Sequence, residues 1–290
     1  MGKLKKYFFY FLISIAALLL VLSLLSLSYD ATSVWWIKVL NFPRTQALIG
    51  AISVLFVALF FTKRLSILNI LLFVCLLASI GINASFILTY TPLVKKQVPS
   101  YVGETVSSRD KVSILVANVY INNKNSKAFI DVVLAKDPDL VLVMETNKWW
   151  QEALQPLRNK YLNYIEYPLE NSYGIMLYSK HVLLSKDIRF LRHGDVPSIH
   201  AKVQLSNGRQ FYFHGMHPVP PIPSSKYPDN MNAQDNYGEL NALADLIAKQ
   251  TLPTIVAGDF NDVAWSNTQR LFRKNSKLKD IQVGRGLYNS

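Results

Sequence analysis

Cysteine is almost absent from this chain, since Cys75 is the only one among 290 residues and lies within an apolar run. No disulfide can form within the chain, which excludes the small disulfide-stabilised class of secreted domains. Acidic residues are also scarce in the first hundred positions, where Asp30 is the only one beside nine Lys and Arg. The other 190 residues carry 22 Lys and Arg against 18 Asp and Glu, so they lack the strong basic charge of a DNA-binding stripe.

Long uncharged apolar runs are confined to the N-terminal third of the chain. Three of them are long enough to cross a bilayer as helices, at about residues 7–27, 45–62 and 65–90. Lys63 and Arg64 separate the last two runs, which predicts a helical hairpin. The first run could also be a cleaved signal peptide, but it is longer than a typical signal core and two further spans follow it.

The basic residues around these runs predict an orientation in the membrane. Lys3, Lys5 and Lys6 precede the first run, which favours a cytoplasmic N-terminus, and three spans then place the C-terminal part on the extracytoplasmic side. We therefore predict a multi-pass cell-membrane protein in contact with the lipid bilayer, with an anchor at 1–94, a linker at 95–110 and an exported domain at 111–290. A transporter is disfavoured, because the spans are few and carry no charge that would mark an ion path.

The soluble part has the pattern of a mixed α/β domain. Apolar runs at 112–119 and 140–144 predict strands covered on both faces, and the spacing of apolar residues in 126–136 predicts a helix between them. Asn207-Gly208 predicts a hairpin turn between two strands. Further segments predict strands at 175–178, 199–205, 210–216 and 254–257, and a helix around 240–247.

Polar side chains follow several of these predicted strands, where a buried core would not place them. They are Asn118, Glu145, His217, Asp259 and Asn261. In α/β sheets, ligands bind beyond strand ends, and Asn, Asp and Glu supply the oxygen ligands that Mg²⁺ or Mn²⁺ prefers. A nearby histidine can donate a proton or hold a phosphoryl oxygen. Together these residues predict metal-assisted hydrolysis of a phosphoester, with a carboxylate that orients or deprotonates the attacking water.

Each of these residues also has a simpler interpretation when taken alone. An Asn after a strand is commonly a turn former, and a Glu or His at a strand end is commonly solvated. The most specific element is the tetrad 258–261, Gly-Asp-Phe-Asn, because a plain turn does not need an aromatic between two metal-type ligands. We interpret His200 as solvated, on the polar face of its strand, and His214 as a packed or hydrogen-bonded core residue.

The order of these motifs resembles the endonuclease/exonuclease/phosphatase superfamily, which includes type I deoxyribonuclease, neutral sphingomyelinases and inositol-polyphosphate phosphatases. The resemblance extends over about 112–266 and is carried by VANVYINN, DPDLVLVMET, YGIMLYSK, HGMHPVPP and VAGDFND. It implies a four-layer α/β/β/α sandwich with Mg²⁺ or Mn²⁺ held chiefly by Glu145, and with Asn118 close to the metal and the phosphate. It also implies that Asp259 orients or activates water, that Asn261 stabilises the charge developing on phosphorus, and that His217 contacts the phosphate or assists the leaving group.

One departure from the family pattern leaves alternatives open. The family ends with a strand that carries an Asp and then an Asp-His pair, whereas no histidine follows His217 in this sequence. The resemblance therefore predicts a domain that is incomplete at its C-terminus, or a membrane-tethered binding protein without catalysis. The substrate also stays open between nucleic acid, phospholipid and phosphorylated small molecules, and no protein partner is predicted.

Overall fold

The computed structural model describes residues 3–27, 35–62, 66–100, 110–222 and 234–287, with only the backbone described for 234–237. Two sequence predictions fall outside these ranges in whole or in part. The Lys63-Arg64 turn lies outside the described residues, as does the stretch 101–109 of the predicted linker.

Three apolar helices of the N-terminal third pack against one another, and a short helix lies between the first two. They are α1 (Lys3–Leu25), α2 (Trp35–Val39, the short one), α3 (Arg44–Phe61) and α4 (Ile67–Ile87). The helices α1, α3 and α4 are long and apolar enough to cross a membrane. Ala16, Ala51 and Ala58 are fully buried between them, because small side chains let helix backbones approach closely.

The first sheet of the soluble part combines parallel and antiparallel strands. Its strands are β1 (Ile114–Asn118), β2 (Leu140–Met144), β3 (Asn163–Tyr167) and β4 (Ile175–Ser179), in the spatial order β1-β2-β4-β3. β1 and β2 run parallel and are connected by the helix α5 (Ser126–Lys136), whose bounds match the predicted helix. The other neighbours are antiparallel.

The second sheet has the same mixture of strand directions. Its strands follow the chain in spatial order: β5 (Val182–Arg189), β6 (Ser198–Gln204), β7 (Gln210–Met216) and β8 (Thr254–Gly258). β6 and β7 form the predicted hairpin, with Gly208 at φ 84° in its turn, where glycine carries no steric cost. β7 and β8 run parallel and are connected by α7 (Gln234–Ala248).

The two sheets pack face to face, and helices cover their outer faces. Alternate residues of β2 point to opposite sides: Leu140, Leu142 and Met144 enter the core between the sheets, while Val141 and Val143 pack under α5 and α6 (Lys148–Ala153). On the other side, α7 and α8 (Asn267–Ser276) cover the second sheet through Leu240, Leu243 and Phe272. The chain therefore has the expected α/β/β/α order of four layers after three apolar helices.

The prediction that residues 112–119 form a strand covered on both faces holds only in part. β1 begins at Ile114, which packs against the core between the sheets, while Leu115 and Ala117 pack on the helix side. Val116, on the same face as Ile114, is nevertheless 40% exposed, and β1 has β2 as its neighbour among the described strands. An apolar run shows that a segment prefers burial, but the position of a strand in a sheet depends on pairing partners distant in sequence.

The interpretation of His200 as solvated was also wrong. Its side chain is only 4% exposed, and its ring nitrogens lie 2.8 Å from Ser198 Oγ and 2.8 Å from His214 Nδ1. His214 is buried as predicted, and its Nε2 lies 3.1 Å from Gln250 Oε1. On this face of β6, Ser198 and His200 are buried and Lys202 and Gln204 are half-buried, and the network through His214 and Gln250 satisfies the buried hydrogen-bonding groups.

Candidate active site

Two parallel strand pairs, one from each sheet, end at the same edge of the sandwich. In the first sheet Asn118, the last residue of β1, pairs with Met144, the last residue of β2. Glu145 follows Met144 in the chain and is therefore a neighbour of Asn118. In the second sheet Met216 pairs with Gly258, which makes His217 and Asp259 neighbours beyond β7 and β8. The backbone N–H of Asp259 lies 3.1 Å from Met144 Sδ, so the two strand ends meet across the sheet interface.

The amide of Asn118 lies between the two carboxylates. Its Nδ2 donates to Glu145 Oε1 at 2.7 Å and to Asp259 Oδ2 at 3.2 Å. Its Oδ1 accepts from the backbone N–H of Tyr120 at 3.1 Å. An electropositive N–H₂ group thus occupies the space between two carboxylate oxygens, which is a position that suits a cation.

Asn261 orients Asp259 from the other side. The backbone N–H of Asn261 donates to Asp259 Oδ1 at 3.0 Å, and its side-chain Nδ2 donates to the carbonyl of Pro218 at 2.8 Å. The loop after β8 is therefore tied to the loop after β7. These two bonds leave Asp259 Oδ2 directed at Asn118 and the rest of the site.

His217 lies deeper than the other four residues. It is 4% exposed, and its Nδ1 is buried without a hydrogen-bond partner among the described residues. Burial lowers the pKa of His217, and the negative charges of Asp259 and Glu145 oppose that shift in part. The imidazole is therefore neutral near pH 7 and can donate one N–H to a ligand.

Sequence reasoning assigned no role to Tyr173, although the structure places it in the site. Its ring lies 5.4 Å from the ring of His217, and burial together with the charges of Glu239, Asp195 and Glu145 raises the pKa of its hydroxyl above the usual range. The hydroxyl therefore stays protonated and remains a donor. The neighbouring Gly174 is the sequence signal that this segment passes close to another part of the backbone. A Cβ at position 174 would lie 1.7 Å from the carbonyl oxygen of Thr146, so only glycine fits there.

The donor set suits a hard divalent cation. Within the described ranges, no group of three or more His, Cys, Asp and Glu side chains converges, so the site contains two carboxylates and one amide. Mg²⁺ typically keeps several water ligands and takes only one or two carboxylates from the protein. The residues present therefore fit Mg²⁺ or Mn²⁺ better than Zn²⁺, which takes a closed set of nitrogen and sulfur ligands.

The chain is similar to known proteins over the part that contains these residues. The sequence profile of the Endonuclease/Exonuclease/phosphatase family matches residues 115–289. No curated protein sequence matches the chain.

Several solved structures are similar to part of the chain at low sequence identity. A humanized TDP2 of D. rerio is 18% identical over 52% of this chain and 62% of that chain, with a TM-score of 0.43, so the chain spans less than two thirds of its length. A β-hairpin deletion mutant of the beta toxin from Staphylococcus aureus is 15% identical over 59% and 74% of the two chains, with a TM-score of 0.48. The human Nocturnin catalytic domain, with bound sulfate, is 17% identical over 57% and 70%, with a TM-score of 0.45.

Proposed function

The chain belongs to the Endonuclease/Exonuclease/phosphatase family, whose members hydrolyse phosphoester bonds, and on that premise we propose that it is a metal-dependent phosphoester hydrolase with a membrane-tethered, exported catalytic domain. One observation carries the proposal. Two parallel strand pairs place the carboxylates of Glu145 and Asp259 on either side of Asn118 Nδ2, at 2.7 and 3.2 Å. The substrate is a phosphodiester or phosphomonoester of nucleic acid, lipid or a small molecule.

Glu145 would hold the cation, Mg²⁺ or Mn²⁺, through its carboxylate, and Asn118 would offer its amide oxygen once the amide turns from its present bond with Tyr120 N–H. When bound, such a cation polarises the phosphoryl group and neutralises its charge. Asp259 Oδ1 is held by the backbone N–H of Asn261, and Oδ2, which accepts from Asn118 Nδ2, would use its remaining lone pair to orient a water molecule and accept its proton. The water oxygen bonds to phosphorus while the bond from phosphorus to the leaving oxygen breaks.

Asn261 and His217 would act on the phosphoryl oxygens and the leaving group. The Asn261 amide stabilises the negative charge that develops as the water attacks. The imidazole of His217 is neutral, consistent with its lowered pKa. Its N–H donates a hydrogen bond to a phosphoryl oxygen or to the leaving oxygen. Tyr173, packed on that ring, limits its rotation and offers a second donor.

The membrane helices support a single arrangement of the domain relative to the bilayer. The soluble part bonds to Ser26 after α1, to Asn41 before α3 and to Tyr90 after α4, so these three helix ends lie on the same side. Lys3, Lys5 and Lys6 lie at the opposite end of α1. Since basic residues favour the cytoplasmic side, we propose that the catalytic domain is extracytoplasmic.

Two isosteric substitutions test the proposed chemistry on the 290-residue chain in lipid nanodiscs. Glu145→Gln and Asp259→Asn keep the side-chain shape but remove the charge, and we expect each to lower Mg²⁺-dependent hydrolysis of bis(p-nitrophenyl) phosphate by roughly 10²-fold or more. Glu145→Gln should also weaken Mn²⁺ binding measured by electron paramagnetic resonance. Plasmid nicking and lipid head-group release, assayed in parallel, distinguish the substrate classes.

Matched controls come from two exposed carboxylates on the covering helices. Glu152→Gln in α6 and Asp131→Asn in α5, whose carboxylate pairs with Lys127 in solvent, should leave hydrolysis unchanged. Full activity in either site variant would remove the proposed site.

A further inference from the structure

We call residues 259–261, the loop after β8, the catalytic loop. The segment that follows it is hydrogen-bonded to the ends of the membrane helices that face the domain, which we call their outer ends. We call residues 262–267 the docking segment. The hydroxyl of Tyr90 donates to the carbonyl of Ala264 at 2.6 Å, and Trp265 Nε1 donates to the carbonyl of Asn41 at 2.8 Å. The amide of Asn267 donates to the carbonyl of Ser26 at 3.2 Å. All three membrane-spanning helices therefore have a contact with this one segment.

These contacts are buried or partly buried and belong to a larger set. Tyr90 is 3% exposed, and its ring packs edge-on against Trp265 with the centroids 6.1 Å apart. The backbone around Tyr90 is also bonded to the C-terminal segment, since Gly286 N donates to Tyr90 O at 2.7 Å. Arg273 donates to the same carbonyl of Ala264 at 3.1 Å. A flexible tether would require none of these bonds.

The docking segment is a compact turn, so a displacement at one end is transmitted to the other. Ser266 Oγ donates to Asp262 Oδ2 at 2.5 Å, and Ser266 N donates to Val263 O at 2.9 Å. Asn261 is three residues before Ala264, a stretch that spans at most about 11 Å even when fully extended. The anchored carbonyl of Ala264 therefore lies within one short turn of the residue that orients Asp259.

The catalytic loop itself has a conformation that needs outside support. Asn261 has φ 51°, in the left-handed region that residues with a side chain rarely adopt. Such conformations persist only where the surrounding structure determines them. Asn261 donates hydrogen bonds to Asp259 Oδ1 and to the carbonyl of Pro218, which hold one side of the loop. The docking segment holds the other side.

We propose that the outer ends of the membrane helices are positioning elements of the active site, with Tyr90 and Trp265 as the positioning residues that hold the loop of Asp259 and Asn261. The inference rests on the proposed function, because it assigns to the anchor a part in that catalysis. Loss of either contact lets the loop shift relative to Glu145 and Asn118 on the other sheet. A misplacement of about 1 Å can lower a rate by up to about 10²-fold without removing a catalytic group.

The test compares Tyr90→Phe, Trp265→Phe and Tyr178→Phe in the full chain in nanodiscs. The first two remove one donor each from the docking contacts. Tyr178→Phe is the matched control, because it removes a buried hydroxyl that donates to Glu166 at 2.8 Å under the first sheet, away from the docking segment. For each protein we would measure kcat and KM with Mg²⁺ on bis(p-nitrophenyl) phosphate, the melting temperature, and hydrogen exchange of the peptide that contains 258–262.

We expect kcat to fall about 3- to 10-fold in Tyr90→Phe and Trp265→Phe, with KM within about twofold and faster exchange in the loop peptide. Tyr178→Phe should keep kcat and loop exchange even where its melting temperature falls. Unchanged kcat in both docking variants overturns the inference while leaving the proposed function in place. Absence of hydrolysis in the unaltered chain overturns the proposed function instead, and loop exchange alone then decides whether the anchor holds the loop.

Discussion

At the scale of single residues, the candidate site depends on backbone conformations that cost free energy. Glu145 has φ 59° and Asn261 has φ 51°, and residues with a side chain in that region cost on the order of 1–3 kcal/mol each. Hydrogen bonds offset part of this cost, since Ile121 N lies 3.4 Å from Glu145 Oε2 and Asn261 N bonds to Asp259. Strain at two proposed functional residues is consistent with selection for the position of their side chains rather than for stability.

The buried pair of His200 and His214 makes stability depend on pH. Burial, followed by the nearby charges of His214 and Arg189, lowers the pKa of His200 to about 3, and burial also lowers the pKa of His214. The unfolded chain takes up protons near the ordinary value of about 6.5 while the folded chain does not. This contribution to stability is therefore fully present above about pH 6.5 and is lost as the pH falls toward 3.

We expect the free energy of unfolding to depend less on pH in His200→Gln. Its slope should fall by about 1.4 kcal/mol per pH unit for each proton that the unfolded chain no longer gains. The measurement is the free energy of unfolding of the full chain in detergent between pH 7.5 and 4.5. Gln204→Asn, which changes no titratable group at the far end of β6, serves as the control and should retain the slope. An identical slope in His200→Gln would contradict the assignment to this pair.

At the scale of elements, a buried polar cluster connects α1 to α4. Asn83 Nδ2 donates to Ser23 Oγ at 2.8 Å and to the carbonyl of Ser79 at 2.9 Å, and the two serine hydroxyls lie 3.0 Å apart. In lipid, hydrogen bonds between helices and close packing drive association, because the hydrophobic effect does not distinguish helix from lipid tail. The cluster therefore orients α1 relative to α4, and the ends of both helices contact the α/β/β/α domain.

Asn83→Leu tests the contribution of this cluster to the packing of α1 on α4. We expect the variant to lose roughly 0.6–2 kcal/mol of helix association, since the amide is replaced by an apolar side chain of similar size. The measurement is the free energy of unfolding of the full chain in bicelles. Ser85→Ala is the control, because that exposed hydroxyl donates to the carbonyl of Ile82 in its own helix, and an equal loss in both variants would refute the role of the cluster.

At the scale of the whole molecule, the anchor and the sandwich form one connected body. The ends of α1, α3 and α4 that contact the docking segment lie on one side, and the lysines at the start of α1 lie on the other. In the orientation that we propose, the basic N-terminus is cytoplasmic. The proposed site would then face the extracytoplasmic space close to the membrane surface.

Cysteine labelling tests this orientation, because the sequence has only one cysteine to remove. In a Cys75→Ser background, Lys274→Cys on the exposed face of α8 should react with a membrane-impermeant maleimide in intact bacterial spheroplasts. Lys5→Cys should react only after permeabilisation, because it lies at the opposite end of α1. The reverse pattern would place the domain in the cytoplasm.

Much of the fold followed from the sequence because its signals are local. The strand Leu140–Met144 and the helix Ser126–Lys136 have the bounds that their periodicity predicts, since alternation and helical spacing depend only on near neighbours. Asn118, Glu145, His217, Asp259 and Asn261 were selected as polar groups beyond strand ends, and the parallel pairs bring those ends together. Their assigned roles stay predictions until the substitutions above are measured.

The sequence by itself determined which segments are apolar enough for the membrane, which become strands and helices, and which polar residues follow the strands. Only the tertiary structure decided that β1 lies at an edge, that His200 is buried against His214, and that Trp265 bonds to Asn41. The physical reason is distance along the chain: Trp265 and Asn41 are 224 residues apart, and no local pattern encodes which distant surfaces will meet. The contacts between the docking segment and the ends of the three apolar helices are of this kind.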